Sequence, residues 1–229
     1  MFDKSAEANA IANYAEERGI SRLVHFTPFL NLLGVFSLGG IMARDRVVEY
    51  AQKHQDEDLM AFITWNDKLR LDRRTDCINI SVQRINAPLF SRFKANFRQG
   101  EPWCIIEIDP VCMQKKGVLF TVANAAASAV RRNGTSAGLK GLQAMFGASI
   151  SVRKSYGVEV CRRTPEMPKS FPTSVQAEVL YPGAIPIEYV KGLVFENPEG
   201  AARARAMLKM EVPGINLPAS RVCPEVFAA

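Results

Sequence analysis

Seven short strand-like stretches, separated by segments of helical periodicity, constrain the fold of this 229-residue chain more than any other feature. They are predicted over Arg22 to Thr27, Cys77 to Val82, Cys104 to Ile108, Gly117 to Thr121, Val175 to Tyr181, Tyr189 to Phe195 and Arg221 to Phe227. The clearest is Cys77-Ile78-Asn79-Ile80-Ser81-Val82, whose alternation gives a strand with one wet face. Helices are predicted over Asp3 to Arg18, Pro28 to Leu38 (stopped by Gly39-Gly40), Arg44 to Met60 and Asn197 to Met210. A helix, turn, helix unit is predicted over Asn124 to Arg132 and Ser136 to Phe146, broken at Asn133-Gly134. Strands at both ends with helices between them define an α+β fold with a mixed, largely antiparallel sheet. A single domain is expected over 1–229, with 1–20 as an N-terminal helical extension.

Several function classes drop out. No glycine-rich fingerprint opens a helix after a strand, so a dinucleotide would not be held in Rossmann fashion. Five cysteines at wide, irregular spacing and only two histidines predict neither a disulfide framework nor a zinc site. The amino terminus does not read as a signal peptide and no apolar run approaches bilayer length, so the expectation is a cytoplasmic protein with no membrane partner. A formal net charge of +6 favours a polyanion, because basic surfaces release the counterions condensed on nucleic acid.

Four constellations carry candidate chemistry. In Leu23-Val24-His25-Phe26-Thr27, strand alternation places His25 and Thr27 on one face, where an imidazole and a hydroxyl can bind ribose hydroxyls or a carboxamide. Taken alone, His25 reads first as a histidine satisfied at a strand end. In Ser174-Val175-Gln176-Ala177-Glu178-Val179-Leu180-Tyr181, Gln176 and Glu178 share the face opposite the apolar residues. A carboxylate there suits the oxocarbenium-like cation formed when a glycosidic bond breaks, and also proton acceptance. Its competing reading is a salt-bridged edge glutamate. Arg70, Arg73 and Arg74 stand in a charged run, and a guanidinium fork matches a pyrophosphate. The stretch Ser149 to Thr173 is expected to be a long functional loop. It carries Arg153, Lys154, Arg162 and Arg163 with Tyr156 and Phe171 interleaved, the equipment of a single-stranded nucleic-acid site or of an ordinary basic surface.

In their order and spacing these pieces resemble the DarT family of DNA ADP-ribosyltransferases, relatives of the poly-ADP-ribose polymerases and bacterial toxin transferases. The likeness runs from about Arg22 to Phe227. It rests on the His-x-Thr strand with Asn31-Leu32 and Gly39-Gly40-Ile41 behind it, on Arg70-Leu71-Asp72 and Ile78 to Val82, and on Gln176 to Leu180. The resemblance implies that NAD⁺ is the co-substrate, held by His25 and Thr27 with Asn31 and Gly40 lining one end. It implies a catalytic Glu178, with Arg70 or Arg74 at the phosphates or the reacting base, and Arg153, Lys154, Tyr156, Arg162 and Arg163 on single-stranded DNA. It also implies a cognate antitoxin that removes ADP-ribose, a macrodomain or similar. Leu119 to Ser128 resembles the guanine-modifying branch more than the thymidine-modifying one. Where the family has glycine after Asp72 this chain has Arg73, which leaves the choice of working arginine open. Two rivals stand beside this reading: a transferase acting on RNA or protein, and a non-catalytic nucleic-acid-binding module.

Overall fold

A computed structural model describes residues 5–55, 63, 65, 70–96, 102–127, 130, 134–154 and 157–228. Helix α1 (Ala6–Arg18) starts where the Ser5 side chain accepts from the Ala8 amide, and stops at Gly19 in the left-handed region (φ 69°). Ile11 and Ala15 of α1 enter the main core. Next come β1 (Leu23–Pro28), α2 (Asn31–Ser37), β2 (Gly40–Met42), α3 (Arg44–His54), β3 (Cys77–Val82), α4 (Ala87–Asn96), β4 (Trp103–Ile108) and β5 (Leu119–Thr121). The second half carries β6 (Thr135–Ala137), α5 (Gly138–Ala144), β7 (Ser149–Lys154), β8 (Gly157–Arg162), β9 (Glu178–Pro182), β10 (Ala184–Pro186), β11 (Val190–Phe195), α6 (Pro198–Glu211) and β12 (Ala219–Val222).

Eight strands form the main sheet in the order β12-β11-β4-β1-β3-β9-β5-β6. All neighbours are antiparallel except β11 and β12, which run parallel. The expected α+β fold with a mixed, largely antiparallel sheet is the one observed. One join is incomplete. Strand β1 pairs with β4 along its whole length, from Leu23↔Ile108 to Pro28↔Trp103, but with β3 only at Leu23↔Val82 and Val24↔Ser81. Beyond Val24 the two central strands part, and β3 continues against β9 from Ile80↔Val179 to Cys77↔Pro182. A fork thus opens in the middle of the sheet, where backbone groups of two strands face a cleft.

The two faces of the sheet are packed separately. Leu23, Ile78, Ile80, Cys104, Ile106 and Val179 belong to the larger core, together with Leu32, Phe36, Leu142 and Leu208 from the helices. Val24, Ile85, Phe90, Trp103, Ile105, Val194 and Phe227 form the smaller one. There Phe26 meets Phe90 edge-on at 5.2 Å and Phe90 meets Trp103 at 5.4 Å, a ring arrangement that stabilises beyond area burial. These rings keep the β1 side of the fork rigid.

Several sequence expectations are corrected. The segment Ser149 to Thr173 is not a loop throughout: β7 and β8 form a hairpin, with Ile150 and Val152 buried against Ala123 and Val130. Short strands whose polar face is wet give weak periodicity, which hid them. Ser136 belongs to β6, paired with Phe120, and the helix begins only at Gly138, where the chain turns at φ 68°. Of the helix expected over Asn124 to Arg132, residues 124–127 form a turn and residues 128, 129 and 131–133 lie outside the described residues. Helix α3 ends at His54 because Gln55 adopts φ 52°, and the expected continuation to Met60 lies outside the described residues. The strand expected from Val175 starts only at Glu178. Ser174 folds 174–177 into a turn, its hydroxyl accepting from the Gln176 amide and its carbonyl from the Ala177 amide. The last strand is Ala219–Val222, and Phe227 follows a 3₁₀ turn. Helix α4 was missed, although Asn86 caps it through its side chain to the Leu89 amide at 3.3 Å and Pro88 sits in its first turn.

Candidate active site

A pocket fills the fork. His25, Thr27, Asn31, Gly40, Arg70, Asn79 and Glu178 all line it, with Val24, Phe26, Ser81, Asn86, Leu89 and Phe93 at one side and Arg44 and Trp65 among the others. Residues from β1 and β9, separated by more than half the chain, therefore share one cavity.

The His25 ring spans the fork, its Nδ1 lying 3.0 Å from the Asn79 carbonyl oxygen. A carbonyl only accepts, so Nδ1 carries the proton and the neutral ring keeps Nε2 as an acceptor. Burial, the main cause, holds the His25 pKa below its ordinary value despite that hydrogen bond, and the Arg70 charge lowers it further. Thr27 is buried, and its Oγ1 accepts from Asn31 Nδ2 at 2.8 Å. Gly40 is required by close approach: an added Cβ would stand 2.2 Å from the Ile185 carbonyl oxygen, across the β2–β10 pair.

Glu178, the first residue of β9, is only 3% exposed. Its carboxylate accepts from the Ala125 amide at 2.8 Å and, at the longer distance of 3.5 Å, from Asn79 Nδ2. The Thr121 hydroxyl accepts from the Glu178 amide at 3.2 Å and donates to the Ala123 carbonyl at 2.6 Å, fixing the 121–125 turn against β9. Burial pushes the Glu178 pKa up to about 7, helped by the nearby Asp72 charge, while the Ala125 amide, Arg70 and Asn79 pull it down. Such a carboxylate is poised to exchange a proton near neutral pH.

The structure places the three arginines differently. Arg70 lines the pocket, with its Nε donating to Asp72 Oδ1 at 3.0 Å and its Nη2 to the carbonyl oxygens of Arg74 and Cys77. Arg74 is not among the pocket residues. Its guanidinium is paired with both oxygens of Asp76, at 2.8 and 2.9 Å, which holds its pKa above the usual arginine range. Arg73 is exposed, in the left-handed region at φ 57°.

The basic residues of 149–173 divide likewise. On the outer face of the hairpin, Arg153 and Arg162 flank the exposed Val158 and Val160. Arg163 instead donates to the carbonyl oxygens of Phe171 (2.7 Å) and Pro168 (2.6 Å), tying down its own loop. Phe171 carries the Arg84 guanidinium 4.6 Å above its ring. The Lys154 side chain and Tyr156 lie outside the described residues. The inner face of the hairpin packs on Val122, Ala123 and Ala127, next to the Ala125 amide that binds Glu178, so the hairpin stands beside the carboxylate.

Sequence reasoning missed Asn79, Asp72, Ser81 and Asn86. Asn79 and Ser81 were visible as the wet face of their strand, and Asn86 as a polar residue before Ala87-Pro88. Asp72 was masked by the surrounding ions. Among the described residues no His, Cys, Asp or Glu cluster could hold a metal, and no helix is long and apolar enough to cross a membrane.

With its sheet split at the centre and a buried glutamate beside the split, the chain has the fold of the DarT ADP-ribosyltransferases. Three solved structures share it at 12–14% identity, each covering 91% of this chain: Thermus sp. 2.9 DarT in complex with NAD⁺ (TM-score 0.57, 98% of that chain), with carba-NAD⁺ (0.54, 98%) and with ADP-ribosylated ssDNA (0.55, 97%). Thermosipho africanus DarTG in complex with ADP-ribose matches at 14% identity and TM-score 0.53, over 90% of this chain and 51% of that one. A comparison with curated proteins finds no match. The family model described as "ssDNA thymidine ADP-ribosyltransferase, DarT" matches residues 24–228, and the chain belongs to the DarT family.

Proposed function

We propose that this protein transfers ADP-ribose from NAD⁺ to a base in single-stranded DNA, guanine in preference to thymine, and releases nicotinamide. The observation that carries the reading is the shared cavity: His25, Thr27 and Asn31 on one side of the fork, Arg70, Asn79 and Glu178 on the other. A nucleic-acid-binding module has no need of a buried carboxylate lifted to about 7 at the bottom of a cleft. The solved Thermus complexes with NAD⁺ and with ADP-ribosylated ssDNA support the choice of both substrates.

The pocket also suggests how the dinucleotide lies. Nicotinamide is bonded directly to the anomeric carbon, so its ring must sit within one ring's width of Glu178. Ser81 is two residues beyond Asn79 on β3, hence about 7 Å further along the same face. Beside it, the buried Asn86 Nδ2 has no hydrogen-bond partner among the described residues. An apolar recess of Val24, Phe26, Leu89 and Phe93 with one amide donor and one hydroxyl suits an aromatic carboxamide. Arg44 and Trp65 are then left for the adenosine end, with the His25 Nε2 acceptor facing a ribose hydroxyl.

Nicotinamide departs as a neutral molecule, taking the electron pair of the broken carbon–nitrogen bond. The Glu178 carboxylate stabilises the sugar cation left behind. A base nitrogen supplies the electron pair of the new bond and loses a proton, which Glu178 accepts. An unpaired base presents that nitrogen, whereas a stacked duplex hides it. Arg153 and Arg162, on the hairpin beside Glu178, are placed to track the DNA phosphates. The guanine preference rests on the likeness of residues 119–128, whereas the family's description names thymidine. A cognate antitoxin is the partner such an activity needs.

Mass spectrometry of short oligonucleotides, one base varied at a time, after incubation with NAD⁺ tests the reading. An ADP-ribose adduct on guanine-containing single strands is expected. Adducts only on thymine overturn the base choice. Adducts only on RNA or protein, or no nicotinamide release with any polymer, overturn the function.

A further inference from the structure

Asp72 does not line the pocket, yet it bonds two residues that do, Arg70 and Asn79. It is buried, in a charged loop where the neighbouring Leu71 and Arg73 are exposed. One carboxylate oxygen accepts from Arg70 Nε at 3.0 Å and from the Arg74 amide at 3.2 Å; the other accepts from Asn79 Nδ2 at 3.2 Å. The same Asn79 nitrogen reaches Glu178. Asn79 in turn offers its main-chain carbonyl to His25.

The chemistry fixes which way Asn79 points. Its NH₂ faces two carboxylates, Asp72 and Glu178, and a flipped amide would set its oxygen against both. With the NH₂ so held, Oδ1 is a buried acceptor with no partner among the described residues, on a side chain that lines the pocket. Arg70 is held just as firmly. Its backbone sits at φ 41°, and its guanidinium bonds Asp72 and the carbonyls of Arg74 and Cys77. Removing Asp72 would release the Arg70 Nε from its carboxylate partner and the Asn79 amide from one of its two anchors.

From this we infer that Asp72 is a positioning residue for the proposed transfer reaction: through direct bonds it holds Arg70 and, through Asn79, Glu178 in the arrangement the sugar cation requires. The inference rests on the function proposed above. Asp72 reaches the reacting atoms only through these partners, and its removal is therefore felt in turnover more than in NAD⁺ affinity.

The relay has an electrostatic signature that a purely structural loop contact lacks. Among the described residues the charges acting on Glu178 are those of Asp72 and Arg70, and burial keeps His25 across the fork neutral. Asp72 raises the Glu178 pKa by charge repulsion, while the Asn79 hydrogen bond lowers it. The two substitutions therefore move Glu178 in opposite directions.

Glu178 is titrated by carbon-13 NMR of carboxyl-labelled protein, with Glu178→Gln identifying its resonance, in wild type, Asp72→Ala and Asn79→Ala. The midpoint is expected to fall by roughly half a unit or more in Asp72→Ala and to rise by a similar amount in Asn79→Ala. In parallel, kcat with NAD⁺ and single-stranded DNA should drop about tenfold or more in Asp72→Ala, with KM for NAD⁺ changed by less. Unchanged midpoints in both variants, or a turnover equal to wild type in folded Asp72→Ala, overturn the inference. If Asp72→Ala does not fold, Asn79→Ala decides alone: an upward shift supports the relay and an unmoved midpoint ends it. A wild-type protein with no transferase activity would sink the proposed function, whereas the titration would still show whether the relay exists.

Discussion

Replacing Glu178 with glutamine should make the protein more stable while stopping its chemistry, and the gain in stability should depend on pH. The Glu178 carboxyl is pushed up to about 7 in the folded chain from an ordinary value of 4.5, with burial the largest cause. Folding therefore favours the protonated carboxyl. The associated stability is fully present below pH 4.5 and is lost as pH rises from there through about 7, because over that range the unfolded chain releases the proton first. A difference of about 2.5 units corresponds to about 3 kcal/mol by pH 8, and to less than about 1 kcal/mol at pH 5. Glutamine cannot ionise and still offers an oxygen to the Ala125 amide, so it escapes this penalty. For a chain of this length the pH 8 advantage should appear as a Tm increase of about 6 to 12 °C, shrinking to a few degrees at pH 5. Scanning calorimetry of both proteins across pH 5 to 8 measures it. A Tm difference that does not change with pH, or a variant less stable than wild type at pH 8, would show that this carboxylate is not lifted by its surroundings.

Other consequences concern catalysis and DNA. Turnover should fall on the acid side of about pH 7, approaching tenfold per unit, because the cation is stabilised only by ionised Glu178; a flat kcat profile from pH 5.5 to 8 contradicts this. Arg70→Ala should lower kcat by about a hundredfold or more, whereas Arg74→Ala, which removes an exterior pair with Asp76, should cost less than about 1 kcal/mol of stability and little activity; steady-state kinetics showing the reverse order would restore Arg74 to the site. Replacing Arg153 and Arg162 together should weaken DNA use and flatten the log–log salt dependence by roughly 1.4, from about 0.7 per phosphate contact. Arg163→Ala should instead lower Tm and leave the salt slope unchanged, since that guanidinium is engaged with Phe171 and Pro168; a flattened slope in Arg163→Ala would place it on the DNA.

The strands and helices with strong periodicity were legible from sequence. Cys77 to Val82 alternates cleanly and is a strand end to end, and α1 ends at Arg18 before Gly19 as expected, although it begins after Ser5 and not at Asp3. What was hidden depended on tertiary partners. Strands β2 and β10 are three residues each and exist because they pair with one another, and the β7–β8 hairpin is stabilised by Ile150 and Val152 docking on Ala123 and Val130. At the site, His25, Thr27 and Glu178 stood out because polar residues on apolar strands need a reason. Asp72 and Asn79 did not, since an aspartate in a charged run and an asparagine on a wet strand face are unremarkable until the fold brings them together. Arg70 and Arg74 were inseparable in sequence for the same reason; in the fold Arg70 lines the cavity, whereas the Arg74 guanidinium is paired with Asp76.

The central claim is that the fork between β1 and β3 is a dinucleotide site closed by His25 on one side and Glu178 on the other. Its most direct measurement is a crystal structure of the Glu178→Gln protein with NAD⁺. Density for the intact dinucleotide is expected in the fork, with the nicotinamide carboxamide at Ser81 and Asn86 and the anomeric carbon beside residue 178. Density elsewhere on the molecule, or the adenine in that recess with the nicotinamide far from residue 178, would contradict it.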